Sequence, residues 1–400
     1  MNNGYRTDIA IIGGGASGLT AALTAARAGA AVVVLEKLPR VGKKILATGN
    51  GRCNLGHLSQ DPAHFHGSMD TQSTLDKFPG EAEFFRGLGL WVRPDEAGRL
   101  YPASGQAASV LDALRLCCGT LGVQEVCGVT VTKILPQAGG FLVRSADGGT
   151  VHARRVILAA GGAAGPQYGT SGDGCKLAQA LGHPVSKLYP ALGPVAVAPG
   201  RTRALKGLRV QAKVTALQDG KPVAEQEGQV QFADGALSGI CVFNLATYRA
   251  EVLSLNLVPW CGDGAALVAE IARQRSGVAL EDMLTGILSK RVGQVLMKSC
   301  TDRPLTAMVS ALGPEELQTL ANRLMDWQFP VLPGGSWEAA QVTAGGVTGV
   351  GPTLESSRVP GLYFAGEVLD VHGDSGGFNL RWAWASGMAA GEQAARGLKR

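Results

Sequence analysis

Three glycines and one carboxylate near the start of the chain carry the first chemistry that the sequence suggests. Gly13, Gly15 and Gly18 follow the short apolar run Asp8–Ile12, and Glu36 follows a second apolar run. Gly13 permits a tight turn, Gly15 lets the backbone approach a pyrophosphate, and Gly18 allows close helix–strand packing. Unpaired N–H groups at a helix N-terminus attract the anion, and Glu36 is placed to accept hydrogen bonds from ribose hydroxyls. These residues predict a dinucleotide site.

Secondary structure must bring these residues into register. Asp8–Ile12 and Ala31–Leu35 are predicted to be buried parallel strands, and the alanine-rich stretch Ala16–Ala28 is predicted to be the helix between them. Glycine-rich turns are common in a chain with 57 glycines, but the full order of strand, glycines, helix, strand and acid is more specific. An acid after the second strand favours FAD or NAD over NADP, and the segment itself does not choose between those two.

Composition excludes several other classes of function. The 400 residues are 46% hydrophobic and 17% charged, which is globular, and the net charge of +5 comes without a basic run interleaved with aromatics. We therefore expect no nucleic-acid partner.

No segment reaches the roughly 18 uninterrupted apolar residues of a membrane span, and the first residues lack an export signal. We expect a cytoplasmic protein that is not membrane-bound, with its eight cysteines reduced. The spacing of His57, His64 and His66 matches no metal-ligand pattern, so these are predicted to be polar surface residues.

Changes in residue composition and hydrophobic periodicity along the chain predict one nucleotide-binding domain that is interrupted by an insert. The domain is predicted to comprise residues 1–190 and 335–400, with the insert at 191–334. The insert is predicted to have a β part at about 191–250 and a helical part at about 251–334. The fold class is α/β, with the Rossmann-type unit first.

Longer motifs resemble a known family. GGGASGL, GNGRCN, GTSGDG, FADGALSG and GEVLDVHGDSGGFN occur in one order between Asp8 and Gly391. This pattern resembles the BaiN/YhiN-type FAD-dependent oxidoreductases, a family that includes aminoacetone oxidase and a bile-acid-intermediate reductase. The resemblance implies a glutathione-reductase-type FAD-binding Rossmann domain, interrupted by an insert with a β-barrel-like part and a helical part. It also implies non-covalent FAD.

The resemblance assigns FAD contacts to several separate segments. For the ADP half they are Gly13, Gly15, Ala16, Ser17, Gly18, Glu36, Lys37, Gly42 and Lys43; beside the flavin Thr48, Gly49, Asn50, Gly51, Arg52, Cys53 and Asn54; at the second strand end Ala160, Gly161 and Gly162; near the ribityl phosphate Gly366, Glu367 and Asp370; and near the flavin N1/O2 edge Gly376, Gly377, Phe378, Asn379 and Leu380. At that last turn, backbone N–H groups and a helix dipole favour the negative charge of reduced flavin.

Three residues are candidates for acid–base or binding roles. His372 is the leading candidate for proton donation, because histidine titrates in the right range. The alternative is a partly exposed loop histidine at a position where the family commonly carries Asp. Tyr101 is a second candidate donor, to an enolate, against a packing role. Arg52 binds a carboxylate or the flavin O4 edge, against a structural salt bridge within the GNGRCN turn.

The predicted reaction follows from the cofactor. The leading hypothesis is an FAD-dependent oxidoreductase of a small organic molecule, with NAD(P)H-dependent reduction of an activated C=C bond (a steroid or other enone) by hydride transfer through flavin N5. The alternatives are an oxidase of an amine or aminoketone that uses O₂, and a tRNA-modifying or redox-sensing flavoprotein. No second glycine fingerprint is present, so NADH or NADPH would bind transiently. The sequence does not predict an oligomeric state.

Overall fold

The computed structural model describes residues 4–398, and its strands are numbered in chain order. They are β1 (Tyr5–Ile12), β2 (Val32–Glu36), β3 (Gly56–His57), β4 (Phe65–Gly67), β5 (Val92–Pro94), β6 (Arg99–Pro102), β7 (Gln124–Cys127), β8 (Val131–Gln137), β9 (Gly140–Ser145), β10 (Thr150–Leu158), β11 (Tyr189–Ala191), β12 (Val195–Ala196), β13 (Arg209–Gln218), β14 (Lys221–Ala233), β15 (Ala236–Ser238), β16 (Val252–Asn256), β17 (Trp327–Pro330), β18 (Val342–Ala344), β19 (Leu362–Phe364) and β20 (Val371–Gly373).

The α-helices are numbered in the same way. They are α1 (Ala16–Arg27), α2 (Lys43–Ala47), α3 (Gln72–Leu75), α4 (Glu81–Arg86), α5 (Ala107–Thr120), α6 (Asp173–Ala180), α7 (Pro199–Thr202), α8 (Ile240–Leu245), α9 (Gly264–Gln274), α10 (Lys290–Lys298), α11 (Pro314–Met325) and α12 (Phe378–Ala395).

The chain forms two compact units. One comprises residues 1–190 and 341–400, and the other comprises residues 191–340. The second boundary therefore lies after residue 340 rather than after 334, because the segment that follows β17 stays with the insert. Within that unit the backbones of Gly193 and Ala340 are so close that a Cβ on Gly193 would lie 3.2 Å from the Ala340 Cα.

A mixed sheet organises the first unit. Its order is β7-β2-β1-β10-β9-β8, and β19 pairs with the second half of β10. The strands β7, β2, β1, β10 and β19 are mutually parallel, whereas β9 and β8 add an antiparallel extension. Strand β1 is flanked on both sides, which suits the complete burial of Ile9 and Ile11. Parallel pairing places the carboxyl ends of β1, β2, β10 and β19 at one edge, where ligands bind in such sheets.

Small residues let helices α1 and α12 pack at very short range. A Cβ on Gly387 would lie 2.5 Å from the Ser17 carbonyl oxygen, and one on Gly391 would lie 2.6 Å from that of Ala21. The last helix is thereby held against the helix that follows the glycine fingerprint.

Six antiparallel strands close into a small barrel within the insert. Their order is β12-β15-β14-β13-β16-β17. A bridge between Val197 and Val331, together with a 2.8 Å bond from the Leu332 N–H to the Ala196 carbonyl, joins the last strand to the first. The centroids of the Trp327 and Phe329 rings lie 4.9 Å apart, and both residues are buried, as is Phe232. These contacts close the order of six strands into a ring.

The structure divides the insert differently from the predicted 191–250 and 251–334. Strands β16 and β17 belong to the barrel, because β16 pairs with β13 and with β17. The helices α9, α10 and α11 form one excursion between these two strands. Apolar residues of these helices, including Val268, Ile271 and Leu320, share the core of the barrel.

Candidate cofactor and active site

The carboxylate of Glu36 closes the turn after β1. Its Oε2 accepts a 2.8 Å bond from the Gly14 N–H, and its Oε1 accepts a 2.9 Å bond from the Leu38 N–H. A carboxylate offers about four lone-pair positions, so two bonds leave capacity for ribose hydroxyls. Glu36 thus has a structural role that the sequence did not reveal, in addition to the predicted one.

The fingerprint glycines differ in what surrounds them. A Cβ on Gly18 would lie 1.9 Å from the Gly13 carbonyl oxygen, and one on Gly13 would lie 2.5 Å from the Ala159 carbonyl oxygen. A Cβ on Gly15 would meet nothing within 4 Å. Gly13 and Gly18 therefore permit protein packing, while Gly15 faces open space where a ligand can approach the backbone.

The lysines assigned to the ADP half bind acceptors within the protein. Lys37 Nζ lies 2.7 Å from Asp173 Oδ2 and 2.8 Å from Ser171 Oγ, and Lys43 Nζ donates a 2.9 Å bond to the Gln167 carbonyl. These bonds hold the segment after β2 against the segment around α6.

The carboxyl ends of β10 and β19 form the adjacent part of the same edge. Glu367 Oε2 pairs with Lys44 Nζ at 2.8 Å, and its Oε1 accepts a 2.7 Å bond from the Thr343 N–H. A Cβ on Gly162 would lie 2.2 Å from Thr343 Oγ1, so Gly162 too is required by packing. The segments Ala160–Gly162 and Gly366–Glu367 thus come together, and Lys44 pairs with Glu367 beside them.

Gly366 links this edge of the sheet to helices α1 and α12. A Cβ on Gly366 would lie 2.4 Å from Ser17 Oγ, and the Gly366 N–H donates a 2.9 Å bond to Ser386 Oγ. Asp370, on the approach to β20, is buried.

The Thr48–Asn54 loop has an unusual backbone. Gly49, Asn50, Gly51 and Cys53 all have positive φ, which is rare for a residue such as Asn50 at +54° or Cys53 at +58°. Such conformations cluster at ligand clamps. Cys53 is fully buried, and burial raises the pKa of its thiol to about 11, so it is a protonated packing residue.

Helix α12 begins directly against this loop. A Cβ on Gly377 would lie 2.5 Å from the Gly56 carbonyl oxygen and 2.7 Å from Asn54 Oδ1. Asn379 fixes the preceding turn, because its side chain exchanges two 2.8 Å bonds with the N–H and carbonyl of Gly373. The first turn of α12 contains no acidic residue and no side-chain cap, so its N–H groups are available to an acceptor.

Three observations show that these residues fit FAD. Open space lies above Gly15 at the uncapped start of α1. The start of α12 offers a second set of N–H donors. Buried polar atoms at the flavin end, Asn54 Oδ1 and both ring nitrogens of His372, have no hydrogen-bond partner in the described part of the protein. Polar atoms buried in this way normally have a partner, and a cofactor with many donors and acceptors supplies one.

The two other catalytic candidates contact each other. The Arg52 guanidinium carbon lies 4.6 Å from the centre of the Tyr101 ring, a cation–π arrangement. Arg52 is exposed, and no carboxylate of residues 4–398 pairs with it. The salt-bridge alternative for Arg52 is therefore replaced by a contact with Tyr101.

The structure corrects the reason for choosing His372. Its side chain is only 4% exposed rather than a partly exposed loop residue. Burial, assisted by the nearby His66, lowers the pKa of His372 to about 4 against the opposing effect of Asp370, Asp374 and Glu367. The imidazole is therefore neutral at pH 7 and is not a store of an extra proton.

Two histidines that the sequence assigned to a polar surface meet one carboxylate instead. His64 Nδ1 lies 3.0 Å from Asp374 Oδ2, and His66 Nε2 lies 2.9 Å from Asp374 Oδ1. Burial opposes ionisation of Asp374, but the bonds from His66 and His64 outweigh it and lower the pKa of this carboxyl below its usual value. Sequence reasoning missed these contacts because Asp374 is distant in the chain, and no local spacing rule connects it with residues 64–66. No group of three or more His, Cys, Asp or Glu side chains in residues 4–398 has the geometry of a metal site.

A buried ion pair anchors the same region. Arg381, 6% exposed, forms two bonds with Glu81, 1% exposed: Nε to Oε1 at 2.7 Å and Nη2 to Oε2 at 2.9 Å. Arg381 also donates to the carbonyls of His57 and Ser59. These bonds join helix α12 to helix α4 and to the segment that follows the Thr48–Asn54 loop.

The fold and the site together define an FAD-dependent oxidoreductase. Residues 7–393 match the HI0933-like protein Rossmann domain, and the chain belongs to this family. The structure of a flavocytochrome c3 fumarate reductase is similar in fold, with a TM-score of 0.51 at 17% identity, covering 99% of this chain and 79% of that one. None of the helices in residues 4–398 is both long enough and apolar enough to cross a membrane.

Two kinds of curated relative match almost the whole chain. A 3-dehydro-bile acid delta(4,6)-reductase of Clostridium scindens is 38% identical, covering 97% of this chain and 98% of the relative. A ribosomal RNA dihydrouridine synthase of Escherichia coli is 30% identical, with 97% and 98% covered. A protein with the same description from Haemophilus influenzae is 28% identical, with 95% and 96% covered.

Proposed function

We propose that this protein reduces a C=C bond conjugated with a carbonyl in a small organic molecule, a steroid-type enone, with NADH or NADPH as the electron donor. The observation that carries the proposal is the similarity of 38% across nearly the full length to a 3-dehydro-bile acid delta(4,6)-reductase. A site built for a flavin at the carboxyl edge of a parallel sheet supports it.

The names of the relatives share one reaction class. A delta(4,6)-reductase acts on C=C bonds of a 3-dehydro, that is 3-keto, bile acid. Dihydrouridine differs from uridine by saturation of a C=C bond that is conjugated with a ring carbonyl. Reduction of an activated C=C bond is therefore the chemistry favoured for this chain over the oxidation of an amine.

We assign roles to the residues as follows. Gly15 and the start of α1 would hold the pyrophosphate, Glu36 would hold the ribose, and the start of α12 would offer N–H groups to the flavin. When bound, FAD supplies hydride transfer through its N5 atom.

Reduction of an enone also consumes a proton. Tyr101, with Arg52 against its ring, is one group in the proposed site that can hydrogen-bond a developing enolate oxygen. We therefore assign Tyr101 and Arg52 to substrate binding and His372 to proton transfer.

Rapid mixing without air tests the proposal in two steps. NADH or NADPH should bleach the flavin absorbance of the purified holoprotein, and a 3-keto-Δ4,6 steroid should restore it with formation of the reduced steroid. Absence of bleaching with both nicotinamides contradicts the proposed donor. Bleaching by an amine or aminoketone, followed by reoxidation only with O₂, would replace the proposal with the oxidase alternative.

A second candidate is reduction of uridine in ribosomal RNA. It is favoured by the matches of 30% and 28% to the two ribosomal RNA dihydrouridine synthases. Incubation of the NADPH-reduced protein with ribosomal RNA from cells lacking dihydrouridine, followed by mass spectrometry of nucleosides, tests it. Dihydrouridine formation with no steroid turnover would favour this candidate over the first.

A further inference from the structure

Four polar side chains project from one face of the small sheet formed by β4 and β20. The strands pair antiparallel with His66 opposite His372, and the Asp374 N–H continues the ladder with a 2.9 Å bond to the His64 carbonyl. Side chains two residues apart on a strand share a face, and so do residues directly opposite. His64, His66, His372 and Asp374 therefore form one group, which we name the β4–β20 tetrad.

The four side chains of the tetrad contact one another, and their exposure to solvent falls from His64 to His372. Asp374 accepts from both His64 and His66, and the rings of His66 and His372 are neighbours with centroids 5.3 Å apart. The side chain of His64 is 35% exposed and that of His66 is 24% exposed, whereas His372 is 4% exposed as a residue. The group thus leads from solvent to a buried imidazole.

The buried end has the chemistry of a relay. Neither ring nitrogen of His372 has a partner in residues 4–398. A neutral imidazole can accept a proton at one nitrogen while it releases the proton on the other, so it transfers a proton without remaining charged. His372 lies between two segments assigned to FAD, Gly366–Asp370 and Gly376–Leu380.

We propose that the β4–β20 tetrad is a proton-delivery route, in which His64, Asp374 and His66 pass a proton from solvent to His372 and His372 passes it to the reduced substrate. The proposal rests on the proposed enone reduction. The hydride adds to the β-carbon, the C=C electrons move toward the carbonyl, and His372 releases a proton to the α-carbon. A water between the two rings passes a proton from His66 to the other nitrogen of His372, and His66 regains a proton from solvent by way of His64 and Asp374.

The ionisable groups around His372 suit proton transfer from His66 toward His372. His66 on β4 faces it, and so do Asp370, Asp374 and Glu367 on the segments flanking β20. The carboxylate of Asp374 balances the positive charge when His66 carries both ring protons. His66 and Asp374 act through His372 and are positioning and transfer residues, while His372 is the group assigned to contact the substrate.

His66→Gln tests the route, because the amide N–H retains a hydrogen bond to Asp374 but cannot transfer a proton. We expect reoxidation of the reduced holoenzyme by a 3-keto-Δ4,6 steroid to slow by about 100-fold, the usual scale for a lost general acid. Flavin reduction by NADPH should stay within about twofold, and added imidazole should restore part of the rate. The matched control is His152→Gln on β10, since His152 lies opposite Arg6 and Leu142 rather than on β4 or β20.

A readout independent of turnover separates the route from a structural clamp. In ¹⁵N-histidine-labelled holoenzyme, NMR should show both tautomers of His372 exchanging rapidly in the wild type and one tautomer in His66→Gln. Asp374→Asn should have the same effect and serves if His66→Gln does not fold. Unchanged tautomer exchange, or an unchanged reoxidation rate in His66→Gln, would overturn the route. If the wild type is not reoxidised by the steroid, the proposed function fails, and the NMR comparison still decides whether the tetrad relays protons.

Discussion

The ADP end and the flavin end of the candidate site are built in different ways. At the ADP end, Gly13, Gly18 and Glu36 lie within one strand–helix–strand unit, and the contacts of Gly18 with Gly13 and of Glu36 with Gly14 stay inside that unit. At the flavin end, β4 pairs with β20, and Arg381 binds Glu81, so these two contacts join residues about 300 positions apart. Short-range geometry makes the first end easy to recognise from a motif, whereas the second end exists only after the chain has folded.

The largest expected effect breaks the ADP end. Gly18→Ala places a Cβ 1.9 Å from the Gly13 carbonyl oxygen, a backbone atom that cannot move without distorting the turn. We expect a purified protein without bound FAD, measured by absorbance at 450 nm. The control is Gly119→Ala on α5, where a Cβ meets nothing within 4 Å and FAD content should be unchanged. Normal FAD content in Gly18→Ala would show that the turn adapts.

The next effect breaks the long-range anchor of the flavin end. Glu81→Ala leaves the buried Arg381 guanidinium without its carboxylate, which should lower the free energy of unfolding by about 3–5 kcal/mol. Urea unfolding of the holoprotein measures this. The double variant Glu81→Leu with Arg381→Met removes both charges and should be less destabilised than Glu81→Ala. Equal losses in the two variants would argue that packing, and not the ion pair, holds this segment.

The pH dependence of stability tests the burial of His372 at the flavin end. Because the pKa of His372 falls from 6.5 in the unfolded chain to about 4 in the fold, between these values the unfolded chain binds a proton that the native protein does not. Stability should therefore fall as the pH is lowered from about 6.5 to 4, by up to about 3 kcal/mol from this residue. Urea unfolding at pH 7.5, 6 and 5 should show a shallower decline in His372→Gln. Parallel declines in both proteins would mean that other groups set the slope.

The smallest effect concerns Glu36 at the ADP end. Glu36→Gln keeps one acceptor but removes the charge, so the Gly14 turn should persist while the dissociation constant for FAD rises about tenfold. Fluorescence titration of apoprotein with FAD measures the change, with Glu83→Gln on the exposed face of α4 as the control. An unchanged constant would assign Glu36 to the turn alone.

Recognition from sequence succeeded where function requires particular residues in a fixed local order. The fingerprint with its acid, and the long GNGRCN and GEVLDVHGDSGGFN motifs, predicted the Rossmann-type FAD fold and the flavoprotein class, both of which are confirmed. It was less successful for the insert, where barrel closure through Val197 and Val331 depends on strands at the two ends of the segment. Strand pairing over such a separation leaves no local pattern.

The sequence by itself determined the cofactor class, because a pyrophosphate needs glycines and a helix start at a fixed spacing. The family resemblance also predicted that two later glycine motifs contact the same ligand, which stays a prediction. Only the tertiary structure decided the state of the histidines. Burial makes His372 neutral, and pairing of β4 with β20 gives His64 and His66 a shared carboxylate in Asp374. The physical reason is that desolvation and hydrogen bonding depend on neighbours in space, which the fold supplies from distant parts of the chain.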